Sequence, residues 1–246
     1  MAKVLVVFGS ESDSKVYERI VKLLKKEKID VELRIASAHR APAEIDEIAK
    51  TDANLIIAGA GLSAALPGAI AAKTIKPIIG VPVKSNYEGL DALLSIAQMP
   101  SGIPVLAVGV DQINAAVENT KKMLKEYGSV TIIADKKTKA VEKAEDVLKE
   151  FGIKYKEALK ADPNTINLEF VYFDEPVEEK DELVIYCPLL MEDDDRAEAA
   201  INLLKHSTHG LWVGLNNGKN AALAAVEILN SGGKYSNKLS ESRTKK

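Results

Sequence analysis

The chain has 246 residues, 46% of them hydrophobic, and its 33 Lys and Arg against 36 Asp and Glu give a net charge of -3. This balance gives no support for a general polyanion binder, so we expect no nucleic-acid partner. A single cysteine, Cys187, excludes an intrachain disulfide framework and a cysteine-rich metal site. No apolar segment approaches the roughly 20 residues that span a bilayer, so we expect a cytoplasmic protein that does not enter membranes.

The first predicted strand, Lys3 to Phe8, is an apolar run typical of a strand covered on both faces. A helix is predicted from about Lys15 to Lys28. In such sheets ligands bind beyond the carboxyl ends of the strands, where helix N-termini offer N–H donors to anions. The residues at that place are Gly9, Ser10, Ser12 and Asp13. They predict an anion-binding loop, although simple N-capping would explain one of them.

A second strand, Asp30 to Ala36, delivers Ser37, Ala38, His39 and Arg40 to the same sheet edge. His39 is the only histidine of the first half, and imidazole exchanges protons near neutral pH. Arg40 suits bidentate binding of a phosphate. The alternative is a surface loop in which Arg40 pairs with a helix carboxylate such as Glu44.

A third strand, Asn54 to Ala58, opens into a loop of small residues that includes Gly59, Ala60, Gly61 and Leu66. So little side-chain bulk is expected where backbone approaches a flat ligand closely. Ala64 replaces the third glycine of the dinucleotide fingerprint, so we expect no nicotinamide or flavin site here. A Walker phosphate loop is absent too, so we expect no P-loop nucleotide site.

Two more strands, Pro77 to Val83 and Val105 to Val110, and a helix from about Asn114 to Lys125 complete a three-layer α/β unit. From Val130 the βαβ rhythm of the opening returns without its motifs, which predicts an internal duplication with a degenerate second copy. We therefore predict a catalytic domain over 1–126, a second copy over 127–232 and a disordered tail over 233–246. His206 and His209 fall in a predicted solvated loop; the alternative is a contribution to another subunit's site.

The motifs of the first half resemble, in order and spacing, the 5-(carboxyamino)imidazole ribonucleotide mutase family of de novo purine synthesis, which includes the phosphoribosylaminoimidazole carboxylase catalytic subunits. They are GSESD, SAHR, AGAGLSAALPG, GVPV and LLSIAQMPSGIP. The resemblance implies a flavodoxin-like sandwich with a parallel sheet, an octameric assembly, a small nucleotide substrate, and neither metal nor organic cofactor. Four two-copy chains would supply eight domains, so we expect a homotetramer.

The same resemblance implies roles for individual residues. His39 would shuttle the proton while a carboxylate moves from the exocyclic nitrogen to ring carbon 4, and Ser10, Asp13 and Arg40 would hold ribose and phosphate. The loop from Ala58 to Ala64 would cover the imidazole. The segment from Gln98 to Pro100 would close the site from another side.

One departure from the family pattern concerns Ala65, because bacterial mutases carry a second histidine just before their Leu-Pro-Gly. This leaves open direct carboxylation of aminoimidazole ribonucleotide with carbon dioxide, the reaction of the animal-type branch. Arg40 and the segment from Leu66 to Gly68 favour the mutase. A third hypothesis is a nucleotide-binding relative without turnover, which the presence of His39 disfavours.

Overall fold

The computed structural model of the chain describes residues 3–174 and 176–244. Within these residues the strands form one ten-stranded sheet in the order β2-β1-β3-β4-β5-β10-β9-β8-β6-β7. The strands are β1 (Lys3–Phe8), β2 (Asp30–Ile35), β3 (Leu55–Ala60), β4 (Ile78–Pro82), β5 (Leu106–Ala107), β6 (Val130–Ile133), β7 (Tyr155–Glu157), β8 (Ile166–Val171), β9 (Val184–Pro188) and β10 (Leu211–Trp212).

Helices cover both faces of this sheet. They are α1 (Ser14–Lys26), α2 (Pro42–Ala49), α3 (Ala65–Ala71), α4 (Leu90–Ala97), α5 (Ile113–Met123), α6 (Lys139–Phe151), α7 (Arg196–His206), α8 (Gly218–Leu229) and α9 (Ser236–Thr244). One core joins the sheet to α1, α5, α6 and α8, and the other joins it to α2, α3, α4 and α7. In the part of the chain that the structure describes, none of the helices is long and apolar enough to cross a membrane.

The two halves of the chain build the same strand order in opposite directions. The first half runs 2-1-3-4-5, the flavodoxin-like order, and the second runs 7-6-8-9-10 from its outer edge inwards. All pairs within each half are parallel, whereas β5 and β10 meet antiparallel at Ala107 and Trp212. The predicted boundary at residue 126 falls between α5 and β6. Both halves therefore share a single sheet, and their origin by duplication stays a prediction.

The fifth strand is shorter than its prediction of Val105 to Val110. It comprises two residues, as does its partner β10, and one further bond to β4, from Val108 N–H to the Gly80 carbonyl at 3.0 Å, follows it. The single thiol, Cys187, is buried, and burial raises its pKa to about 12.

The second half has no helix in the described parts of the connections that follow β7 and β8. Asn167, fully buried on β8, holds these connections instead. Its side-chain amide donates to the carbonyls of Asp162 at 3.1 Å, Thr165 at 3.1 Å and Leu183 at 3.0 Å, and its oxygen accepts from Asp162 N–H at 2.8 Å. Buried polar groups require such partners, so this one buried amide ties both connections to β8.

The prediction of a disordered tail over 233–246 is wrong for the residues that the structure describes. These residues contain α9, whose Leu239 is 1% exposed. Arg243 donates to the Gly102 carbonyl at 2.6 Å and pairs with the buried Glu227. Composition missed this helix because one buried leucine and the buried contact between Arg243 and Glu227 anchor it. Residues 245 and 246 lie outside the described residues.

Candidate active site

A cavity of about 360 Å³ lies beyond the carboxyl ends of β1, β2, β3 and β4. Its size is within the range of small-molecule sites. Most of the residues predicted from the sequence to bind substrate or to act on it line this cavity. They are Gly9, Ser10, Ser12, Asp13, Ser37, Ala38, His39, Arg40, Ala60, Gly61 and Leu66. Their roles toward a ligand stay predictions, but the fold brings them together.

Gly59 differs from the other predicted residues because it does not line the cavity. Its carbonyl accepts from the Gly9 N–H at 3.1 Å, and a Cβ on it would lie 2.2 Å from the ring of Phe8. The glycine is therefore required for the packing of β3 against Phe8, and through Gly9 it supports the first loop.

The loop after β1 is held by its own hydroxyl groups. Ser10 Oγ accepts from the Ser12 N–H at 3.2 Å and from the Ser12 hydroxyl at 2.8 Å, and the same hydroxyl lies 3.2 Å from Asp13 Oδ1. Partial burial raises the pKa of Asp13, the Ser12 hydroxyl opposes this, and the nearby charge of Asp111 adds to it. This loop therefore presents hydroxyls and a carboxylate to the cavity, a set suited to ribose hydroxyls.

The loop after β2 forms a turn closed by Ser37. The Ser37 carbonyl accepts from Ala41 N–H at 2.9 Å and its hydroxyl oxygen accepts from Arg40 N–H at 3.4 Å; α2 then begins at Pro42. His39 and Arg40 are exposed at the cavity wall. The ion pair between Arg40 and Glu44, considered from the sequence, is not formed, and no ion pair in the described chain engages Arg40. The guanidinium is thus available to a ligand anion.

The loop after β3 adopts a backbone conformation that is rare for its residues. Leu62 has a φ of 41° and Ser63 a φ of 56°, both left-handed, and Leu62 is 65% exposed. Such conformations cost about 1 to 3 kcal/mol each and persist only where the surroundings impose them. Leu62 and Ala65 line the cavity, so this imposed conformation shapes its wall.

The end of β4 supplies residues that sequence reasoning missed: Val83, Lys84 and Ser85 also line the cavity. The signal was present, since β4 neighbours β3 in a parallel sheet and its carboxyl end must reach the same edge. Lys84 is fixed at its N–H by Asp111 Oδ1 at 3.1 Å, and its ammonium pairs with Glu88. Its backbone therefore stands at the cavity wall, while its ammonium is engaged by a carboxylate of the protein itself.

The expectation that the segment from Gln98 to Pro100 closes this cavity is wrong. These residues contact the second half: Gln98 Oε1 accepts from Leu215 N–H at 3.0 Å, and the Met99 carbonyl accepts from the Asn217 amide at 3.1 Å. Because α4 begins after the carboxyl end of β4 and leads back to the start of the parallel strand β5, its C-terminal end lies at the sheet edge opposite the cavity.

The equivalent place in the second half holds a different set of side chains. A cavity of about 310 Å³ follows β6 and β7, and its described lining contains Asp135, Lys136 and Lys137 but neither histidine nor arginine. Lys137 is engaged by the buried carboxylate of Glu145 at 3.1 Å, which Lys149 also contacts. This lysine is therefore neutralised within the protein.

The prediction of a solvated loop for His206 and His209 is also wrong. His206 ends α7 and stacks on Phe173 with ring centroids 5.1 Å apart. His209 lies edge-on to Tyr186 at 5.8 Å, and partial burial lowers its pKa. Both rings belong to an aromatic cluster around Trp212 and lie outside the cavity of the first half.

Comparison with known proteins places the similarity in the first half. The family model described as AIR carboxylase matches residues 3–127, just over half of the chain. The cavity residues all fall within this match.

Individual relatives agree with the family match. The N5-carboxyaminoimidazole ribonucleotide mutase of Methanocaldococcus jannaschii is 48% identical over 136 residues, which cover 50% of this chain and 87% of the relative. The enzyme of the same name from Pyrococcus abyssi is 49% identical over 116 residues, 45% of this chain and 67% of the relative. Among solved structures, the Treponema denticola PurE crystal structure matches with a TM-score of 0.44 and 28% identity, over 51% of this chain and 83% of that one.

Proposed function

The chain belongs to the AIR carboxylase family, and from this membership we propose that it is an N5-carboxyaminoimidazole ribonucleotide mutase, an isomerase of purine biosynthesis. The observation that carries the proposal is the single cavity in which His39, Arg40, Ser10 and Asp13 meet. Acid-base, anion-binding and ribose-binding groups are thereby combined in the half that resembles mutases at 48% identity.

His39 carries the proton in the proposed reaction. The bond between the carboxylate carbon and the exocyclic nitrogen breaks, carbon dioxide is released within the cavity, and the nitrogen takes a proton from the imidazolium. Ring carbon 4 then forms a bond to carbon dioxide, and the neutral imidazole accepts the proton that carbon 4 loses. A histidine at the cavity wall serves both steps because one imidazole can donate a proton and then accept one.

The nucleotide is held by the loops after β1 and β2. Arg40, which has no ion pair in the described chain, binds the phosphate, and the Asp13 carboxylate accepts from ribose hydroxyls. Ser10, Ser12 and Ser37 add hydroxyls, and Gly9 and Ala38 leave room for backbone N–H groups. Ala60, Gly61 and Leu66 line the cavity with little side-chain bulk at the first two positions, so the backbone packs closely against the imidazole ring.

A second candidate is direct carboxylation of aminoimidazole ribonucleotide. The observation that favours it is Ala65, a methyl group on the cavity wall where bacterial mutases place a second histidine. The names of the relatives favour the mutase.

Assembly is part of the proposal. Single-domain relatives such as the M. jannaschii enzyme correspond to about half of this chain. We propose a homotetramer in which four chains supply eight flavodoxin-like units and four complete cavities. Light scattering should give a mass four times the chain mass of 26.6 kDa, and any other multiple contradicts the tetramer.

The function is tested with purified protein in two reactions. One contains N5-carboxyaminoimidazole ribonucleotide at low bicarbonate, and the other contains aminoimidazole ribonucleotide with bicarbonate. The 4-carboxylate product in the first reaction supports the mutase. Product in the second reaction alone supports the carboxylase, and product in neither contradicts both enzymes.

A further inference from the structure

Part of the cavity wall is a loop whose backbone conformation is unfavourable for its own residues. Leu62 and Ser63 are consecutive non-glycine residues in the left-handed region, with φ of 41° and 56°. Two such residues in succession require external contacts, because neither side chain favours this backbone conformation. The contacts that fix them therefore decide where Gly61 and Leu62 stand relative to the bound ring.

The N–H groups of Leu62 and Ser63 each donate a hydrogen bond to a side chain outside the loop, one on α4 and one just after β4. Ser63 N–H donates to Asp91 Oδ2 at 2.9 Å, and Leu62 N–H donates to Ser85 Oγ at 3.4 Å. The Ser85 hydroxyl has two acceptors within reach, Asp91 Oδ1 at 3.4 Å and the Asn86 carbonyl at 3.5 Å. One carboxylate thus binds the turn directly through Ser63 and indirectly through Ser85.

Asp91 is itself firmly placed. It lies in the first turn of α4, where the helix dipole favours a carboxylate. The Ser95 hydroxyl bonds the backbone carbonyl of Asp91 at 2.8 Å and makes no contact with its carboxylate. Gly89, which precedes the helix with a φ of 84°, lies so close to Val110 that a Cβ would come within 2.6 Å of it. The close packing of Gly89 against Val110 therefore fixes the start of α4, and with it the backbone of Asp91.

We propose that Asp91 is a positioning residue for the reaction: it holds the Gly61–Ala64 turn over the cavity by accepting hydrogen bonds from Ser63 N–H and from the Ser85 hydroxyl. This inference rests on the proposed function of the same cavity. Asp91 does not line the cavity, so it acts through the turn and not on the substrate. The nucleotide phosphate and ribose, bound from β1 and β2, do not depend on it.

The test compares Asp91→Ala, Asp91→Asn and the control Ser95→Ala. Asparagine can accept from Ser63 N–H with its oxygen and donate to Ser85 Oγ with its amide, whereas alanine can do neither. We expect Asp91→Ala to lower kcat about ten- to a hundredfold, because small misplacements at a reacting centre have effects of this size. Binding of aminoimidazole ribonucleotide, measured by calorimetry, should change less than about threefold, and Asp91→Asn should restore most of kcat. Ser95→Ala removes a bond to the same residue but none to the turn, and should match the wild type.

Amide hydrogen exchange at Ser63 gives a readout that needs no turnover. Its protection should fall at least about tenfold in Asp91→Ala and return in Asp91→Asn. The positioning role is overturned if amide exchange at Ser63 is unchanged in Asp91→Ala. It is also overturned if the kcat of Asp91→Asn is as low as that of Asp91→Ala. A wild-type protein without turnover in either assay contradicts the proposed function alone, because the exchange experiment still tests the turn.

Discussion

Asn220, at the start of α8, binds the loop of the first half that follows α4 through three hydrogen bonds. Its side-chain oxygen accepts from Gly102 N–H at 2.7 Å, and its amide donates to the Pro100 carbonyl at 3.0 Å and to the Ile103 carbonyl at 3.3 Å. The other half makes a related contact, since the Asn119 amide lies 3.4 Å from the Gly210 carbonyl. Each half therefore contacts the other through an asparagine side chain, Asn220 on α8 after β10 and Asn119 on α5 after β5.

Replacing Asn220 by alanine should destabilise the whole chain. The change leaves the Gly102 N–H and the Ile103 carbonyl without their Asn220 partner in a site where Asn220 is 1% exposed, while the Pro100 carbonyl keeps the Ile103 N–H at 3.2 Å. We expect a loss of about 3 kcal/mol in the free energy of unfolding. Denaturant unfolding measures it. The exposed Asn237→Ala, in α9, is the control and should change stability by less than about 0.5 kcal/mol. Equal stability of the two variants would contradict this role.

Replacing His39 by asparagine should abolish most turnover and leave nucleotide binding nearly intact. Loss of a general acid-base group lowers kcat by at least about a hundredfold, while the phosphate and ribose contacts are untouched. Steady-state kinetics and calorimetric titration with aminoimidazole ribonucleotide measure the two effects. His206→Asn, outside the cavity, is the control. Wild-type turnover in His39→Asn would remove this histidine from the mechanism.

Replacing Arg40 by alanine should weaken nucleotide binding through the phosphate. We expect Kd to rise about ten- to a hundredfold, the range for one charge-assisted contact. The corresponding nucleoside without phosphate should bind the variant and the wild type equally. Arg19→Ala, an exposed arginine on α1, should leave both affinities unchanged. A wild-type protein that binds the nucleoside as tightly as the nucleotide would contradict the phosphate role.

The buried carboxyl of Glu227 should make stability fall as the pH rises towards 8. Burial raises its pKa from 4.5 to about 8, against the opposing influence of Arg243. Between these values the folded chain keeps a proton that the unfolded chain has lost, so the contribution is complete below 4.5 and is lost as the pH passes about 8. Its slope is at most about 1.4 kcal/mol per pH unit.

Denaturant unfolding of Glu227→Gln and the wild type between pH 5 and about 9 tests this prediction. Glutamine can still accept from Arg243 but does not titrate, so the stability of the wild type relative to the variant should decline across the range. Parallel profiles for the two proteins would show that Glu227 is ionised in the folded chain throughout.

The sequence by itself determined much of the first half. The apolar runs of β1, β3 and β4 predicted strands buried on both faces, because such runs have no polar side to expose. The polar residues after β1 and β2 were predicted to meet, since parallel strands place their carboxyl ends at one edge. Local pattern and one topological rule were sufficient for these features.

Only the tertiary structure decided the features that depend on residues far apart in the chain. Three examples join residues about 16 to 117 positions apart in the chain. They are the antiparallel pairing of β5 with β10, the hydrogen bond from Leu215 N–H to Gln98, and the hydrogen bond from Arg243 to Glu227. The bond from Ser63 to Asp91 joins a loop to the first turn of α4, and neither local sequence predicts the other as its partner. Hydrogen bonds and packing of this kind depend on position in space, and periodicity along the chain carries no information about them.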